Sequence, residues 1–212
     1  MVADTGKWLP KRRVIISPVT LADPDWQSGR LPVDLTKRQI EDAPHLDADA
    51  PVSRQREIEY SRYFGWAYYW TGIGVWGMHA RPKLLAEEQK RRAESADEEE
   101  IGDSHLRSTE EVTGYHIQAA DGEVGHIEDF IIDDDTWTIR YLVIDTRNWL
   151  PGRKVLIPPS WSVKIDWGQR LVSVDLTQGQ IERSPEYDPS IPVNREYEAQ
   201  LYDFYGRPLY WS

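Results

Sequence analysis

Three stretches decide the fold: Gly114-Tyr115-His116-Ile117, then Asp121-Gly122-Glu123-Val124-Gly125-His126-Ile127-Glu128-Asp129-Phe130, then Trp137-Thr138-Ile139-Arg140-Tyr141-Leu142-Val143. Residues 115–119 read as a short extended segment. Asp121-Gly122 is a dipeptide favoured in tight hairpin turns, where both central residues need positive φ. In the return strand, residues 123–132, Ile127 and Phe130 stand three apart, which breaks strict alternation and predicts a bulge. Asp133-Asp134-Asp135-Thr136 is the next turn. From Trp137 to Asp145, Trp137, Ile139, Tyr141 and Val143 alternate with Thr138, Arg140, Leu142 and Ile144, the period of a strand. Residues 154–157, 161–165 and 171–174 add three more short strands. Many short strands with regular turns predict a small β-barrel, which removes its own edges by closing.

Helices are expected after the strands. Thr177 stands where an N-cap belongs, with Gln180 three residues later as in a capping box, and Thr36 and Gln39 repeat the pattern. Ser53 and Asn194 suit the caps of a second helix, with Tyr197, Leu201 and Phe204 along one face. Gly65 and Gly206 suit its left-handed C-terminal position. The fold class is therefore mainly β with helical extensions.

Working outward, the same sequence occurs twice. Residues 2–70 match residues 143–211 at a constant offset of 141 without a gap, and 28 of the 69 aligned positions are identical, a self-similarity that marks a duplicated module. Trp8-Leu9-Pro10 recurs as Trp149-Leu150-Pro151, Asp25-Trp26 as Asp166-Trp167, Val33-Asp34-Leu35-Thr36 as Val174-Asp175-Leu176-Thr177, and Tyr69-Trp70 as Tyr210-Trp211. The second copy is preceded by residues 108–142, for which the first has no counterpart. The expected domains are a partial first repeat with helical and aromatic tail at 1–80, a charged linker at 81–106, and a complete second repeat with helical tail at 107–212. Either the recorded start lies inside a longer reading frame, or another chain completes the first copy; an open sheet edge is a liability in solution, which favours the former. Within the linker, residues 81–92 are expected to form a short helix, and Asp97-Glu98-Glu99-Glu100 a solvated spacer.

Composition narrows the function. The 212 residues carry 36 Asp plus Glu against 25 Lys plus Arg, a formal net charge of -11. That balance argues against nucleic acid as the main partner and against a polybasic membrane anchor. Cysteine is absent, which excludes disulfides, thiolate metal sites and cysteine nucleophiles. No basic-then-apolar leader follows Met1, so the expected location is cytoplasmic. Residues 63–78 are uncharged and aromatic-rich, yet too short for a span and interrupted by Gly65, Gly72, Gly74 and Gly77. A packed tail is expected there.

The three opening stretches resemble the PRC-barrel, the domain named for the cytoplasmic part of the photosynthetic reaction-centre H subunit and found also in a ribosome-maturation factor. The resemblance covers nearly all of the second copy and the back half of the first, and extends to bacterial proteins with tandem PRC-barrels and a Pro-Val-x-Arg…Tyr-Trp tail. It implies a tandem PRC-barrel protein with its first copy truncated, a non-catalytic module docking onto a protein complex. A membrane-bound photosynthetic or electron-transfer complex is the partner implied, at the cytoplasmic face of the inner membrane. The H subunit's transmembrane helix and the ribosome factor's RNA-binding domain are both missing from these 212 residues.

The chemistry-bearing residues do not converge on a catalytic pattern. His116 and His126 fall on neighbouring strands near Glu128 and Asp129, and a metal or proton relay there is weighed against polar positions on a wet face; the latter is favoured. Asp133 to Asp135 lack the ligand alternation, glycine and terminal Glu of a calcium loop. Asp4 and Asp145 are a carboxylate pair for a carbohydrate-active hydrolase, the rival function, or else residues of Asx-type turns. A ribosome-maturation role is the third reading. No catalytic residue, metal ligand or cofactor is expected. Of ten tryptophans and eleven tyrosines, most are assigned to module architecture, and Trp66, Trp76 and Trp137 to a protein-interaction surface. A second copy of the chain, completing the first barrel, is a further partner considered.

Overall fold

The computed structural model describes residues 1–6, 13–46, 52–92, 105–146 and 153–211. The Trp-Leu-Pro segments of both copies and Asp97 to Glu100 lie outside the described residues. The chain divides into two compact units, Met1–Ser108 with Asp134–Thr138, and Thr109–Asp133 with Ile139–Ser212.

The first unit begins with β1 (Val2–Asp4) paired antiparallel to β2 (Arg13–Ile15). After the 3-10 turn Pro18–Thr20 comes α1 (Lys37–Glu41), whose N-cap Thr36 forms the expected capping box with Gln39. β3 (Val52–Ser53) leads into α2 (Arg54–Phe64), capped by Ser53 and closed by left-handed Gly65. α3 (Pro82–Arg92) packs against the Pro18–Thr20 turn, and β4 (His105–Leu106) pairs with β3. Val14, Ile16, Leu21 and Ala43 form the core, with Phe64 and Trp137 packed on it.

The second unit holds α4 (Thr109–Val112), β5 (His116–Ala119), β6 (Gly122–Ile132), β7 (Ile139–Asp145), β8 (Lys154–Ile157), β9 (Ser162–Asp166), β10 (Leu171–Val174), α5 (Gln178–Arg183) and α6 (Arg195–Phe204). The six strands form one sheet in the order β8-β7-β6-β5-β10-β9, parallel between β5 and β10 and antiparallel elsewhere. Barrel closure, expected from the strand pattern, is not part of this pairing: among the described residues no ladder joins β8 to β9. The core gathers Ile117, Val124, Ile127, Ile144, Val155, Leu156 and Ile157 from the sheet with Ile181 and Leu201 from the helices. Burial of such a set is the main favourable term of folding, about 25 cal/mol per Å² of apolar surface.

Local expectations are met in some places and corrected in others. The β6 bulge falls at Glu128, between the pairs Ile127↔Ile144 and Asp129↔Val143. The β5–β6 hairpin, however, pairs Ala119 with Gly122, and neither Ala120 nor Asp121 has positive φ. Asp121 accepts from the Gln178 backbone N–H at 2.7 Å, and a Cβ on Gly122 would stand 2.6 Å from Gln178 Nε2. Asp121 thus serves to dock the start of α5 rather than to form a mirror-image turn. Strand β7 starts at Ile139, because Trp137 takes φ 54° and turns its indole into the core of the first unit. Leu201 and Tyr202 on α6 and its C-cap Tyr205 are buried while Phe204 is exposed, so the apolar face is rotated from the one expected.

The ladder registers repeat along with the sequence. Val2↔Ile15, Ala3↔Val14 and Asp4↔Arg13 become Val143↔Leu156, Ile144↔Val155 and Asp145↔Lys154 at the same offset. The Leu21↔Val33 bridge becomes Ser162↔Val174, and the second capping box is formed by Thr177 and Gln180.

Candidate functional site

Each unit uses the first turn of its long helix to bury a carboxylate. In α6, Asn194 caps the helix by accepting from the Tyr197 N–H at 2.9 Å. This start places Arg195 and Glu198 one turn apart, with Arg195 Nη1 3.0 Å from Glu198 Oε2. Glu198 is only 6% exposed. Its Oε1 accepts from the Tyr141 hydroxyl at 2.8 Å and the Tyr210 hydroxyl at 2.9 Å. The Arg195 guanidinium lies 4.5 Å from the Trp211 ring centroid, within cation–π range. Burial and the neighbouring Glu198 charge push the Tyr141 phenol far above its ordinary range.

The first unit repeats the device with fewer partners. Arg54 Nη1 is 2.9 Å from Glu57 Oε2, the Tyr69 hydroxyl donates to Glu57 Oε1 at 2.6 Å, and the Arg54 guanidinium is 3.9 Å from the Trp70 centroid. Burial raises the Glu57 carboxyl, and burial with the Glu57 hydrogen bond pushes Tyr69 up to about 12. A carboxylate at a helix N-terminus also meets the favourable end of the helix dipole. These residues escaped the reading of motifs, although their signal was present: Arg54, Glu57, Tyr69 and Trp70 are all identical to their counterparts 141 residues on. The cluster fastens the tail to the helix, while Arg54 Nε and the Trp70 indole nitrogen are buried in it without a hydrogen-bond partner.

The tryptophans assigned to an interaction surface sit elsewhere than in one exposed patch. Trp76 is 7% exposed and donates its indole N–H to the Thr136 carbonyl at 2.6 Å. Trp66 is half-buried and stacks on Phe64 at 4.4 Å. Trp137 is half-buried against the Val14–Ile16 core. The widely exposed indole among the described residues is instead Trp26, at 70%, on the turn that Asp25 organises by accepting from the Gln27 and Ser28 N–H groups.

The titratable candidates are held by local partners. His116 and His126 are opposite one another across β5 and β6, as expected, and His116 Nδ1 is 2.8 Å from Glu123 Oε1. Glu128 pairs with Lys154 at 2.6 Å, Asp133 with Arg140 at 3.1 Å, and Asp135 with Arg81 at 2.7 Å. Among the described residues no group of three or more His, Asp or Glu side chains is placed to hold a metal ion. Asp4 accepts from the Gly6 N–H at 2.7 Å, the Asx-type turn of the sequence reading, whereas Asp145 is buried. Among the described residues no helix is long and apolar enough to cross a membrane.

Comparison with known families finds the PRC-barrel domain at residues 108–181, from the residue before α4 into α5. No curated protein matches the chain. PRC-barrel domains are in general non-catalytic modules of binding and assembly, and the six-stranded sheet is the part of this chain that carries the domain.

Proposed function

We propose that the chain is a tandem PRC-barrel assembly module that docks onto a larger protein complex, and that this complex is membrane-bound and engaged in electron transfer or photosynthesis. The observation that carries the reading is the PRC-barrel domain at residues 108–181. The tandem arrangement is supported by the repeat at offset 141 and by the ladder registers that recur with it. The nature of the complex follows from the resemblance to the reaction-centre H subunit. Trp26 is the contact we assign to docking, since a large exposed aromatic side chain supplies apolar area and a polar N–H at small entropic cost, the usual chemistry of interface hot spots. Separation of native extracts by size, with membranes gently solubilised, tests the proposal. The chain should migrate in an assembly well above the mass of two copies; migration only as free chain or dimer overturns the docking role.

A further inference from the structure

We infer that the first unit holds an open slot for a β-hairpin, and that its occupant is a hairpin of the β5–β6 type presented by a partner protein. In the second unit β5 and β6 form the middle of the sheet, joining β7–β8 on one side to β10–β9 on the other. The repeat carries over the outer pairs alone. β1–β2 stands where β7–β8 does, and the bridges Leu21↔Val33 and Asp25↔Arg30 stand where Ser162↔Val174 and Asp166↔Leu171 do. Residues 108–142, which supply the middle pair, have no counterpart in the first copy.

Both sides of this gap in the strand order keep free bonding groups. Among the described residues the N–H and C=O groups of Leu31 and Val33 have no hydrogen-bond partner, because Arg30, Pro32 and Asp34 make the bonds to residues 20–25. Pro32 does not close the edge. Its carbonyl accepts from the Ala22 N–H, so its missing donor lies on the side already paired. β1 likewise has no ladder on its second edge. Apolar cover is missing too. Val172, Val174 and Leu176 are buried, whereas Leu31, Val33 and Leu35, 141 positions earlier, are half-buried, and Val2 is 51% exposed against 3% for Val143. Trp26 stands open where Trp167 packs on Tyr115, the residue before β5. Trp137 packs on the same core without a ladder bond to either side.

The second unit shows what fits. The incoming strand runs parallel to residues 30–33, with an aromatic residue set against Trp26 and an aliphatic one two positions on, as Tyr115 and Ile117 are set. The returning strand runs antiparallel to β1, as β6 does to β7. Such strand addition draws affinity from main-chain bonds and specificity from alternate side chains. A second copy of this chain is a poor donor, since Ile117, Val124 and Ile127 of its hairpin are wholly buried in its own sheet. The inference deepens the docking role and rests on it for the existence of a partner.

The probe is a synthetic peptide of residues 113–132, titrated into the full chain by calorimetry. One site is expected, with a dissociation constant on the order of 10 micromolar. Ile117→Asp in the peptide should abolish binding, with the folding of the chain untouched. Tyr115→Ala in the peptide should weaken binding about fivefold to the wild-type chain and not at all to the Trp26→Ala chain, the mark of a direct contact. Trp167→Ala in the chain should leave the affinity unchanged. No binding, binding indifferent to Ile117→Asp, or a Tyr115 effect coupled to Trp167 rather than Trp26 overturns the inference. So does a dimer of the chain that the peptide dissociates, which would make a second copy the donor. A peptide that fails to bind while the chain still migrates in a large assembly removes the slot and leaves the docking role standing.

Discussion

The Tyr210 hydroxyl donates to the buried Glu198 carboxylate at 2.9 Å, and with Arg195 on the other oxygen it ties the C-terminal segment to the first turn of α6. Removing the acceptor strands the buried Tyr141 phenol and takes the carboxylate from Tyr210 and Arg195, whereas removing the Tyr210 phenol leaves the Tyr141 bond in place. Glu198→Ala should therefore cost about 3 kcal/mol and Tyr210→Phe about 1 kcal/mol. Urea denaturation of each variant, followed by near-ultraviolet circular dichroism, measures both.

Glu57 in the first unit is held by the Tyr69 hydroxyl and the Arg54 guanidinium, and its carboxyl is raised above the ordinary value chiefly by burial. A raised carboxyl pKa gives stability that is fully present below the unfolded value near 4.5 and lost as pH rises through the folded one. Glu57→Gln should remove that loss. The difference in urea midpoint, variant minus wild type, is expected to grow in the variant's favour from pH 4 upward and then level off.

Seven of the eleven tyrosines, Tyr69, Tyr141, Tyr187, Tyr197, Tyr202, Tyr205 and Tyr210, have phenols raised above 10, burial being the first cause in each. Their contribution to stability is intact below pH 10 and is lost as pH rises through their folded values. Spectrophotometric titration should show these seven phenols ionising above pH 10 together with alkaline unfolding. In denaturant all eleven should titrate near 10.

Gly125 has φ 141°, and a Cβ there would lie 2.1 Å from the Asp145 carbonyl oxygen across the β6–β7 ladder. Gly125→Ala combines backbone strain with a clash against main chain that cannot rotate away. A loss of about 3 kcal/mol is expected in thermal or urea unfolding.

Trp137 and Trp26 should part company in stability measurements. Trp137→Ala empties part of the first unit's core and should cost about 2 kcal/mol. Trp26→Ala, on an exposed turn, should change stability by less than about 0.5 kcal/mol.

What was legible in the sequence was local and repeated. The capping residues Thr36, Thr177, Ser53 and Asn194, the left-handed glycines 65 and 206, and the Glu128 bulge each depend on a few neighbouring residues, so their signals survive without tertiary knowledge. Trp137 was misplaced because alternation alone extends a strand, while a distant core draws the indole out of it. The Asp121-Gly122 turn was misread for a similar reason: Asp121 bonds the Gln178 backbone N–H 57 positions later, and a turn dipeptide carries no trace of that. The Arg-Glu-Tyr-Trp cluster joins residues up to 70 positions apart, and only the repeat could have shown that its members belong together.

The docking role is tested most directly by quantitative affinity capture from a native extract with solubilised membranes, using the wild-type chain and Trp26→Ala side by side. The account predicts stoichiometric recovery of the subunits of one membrane complex with the wild type and at least tenfold less with the variant. Recovery of no complex by either chain, or equal recovery by both, would contradict it.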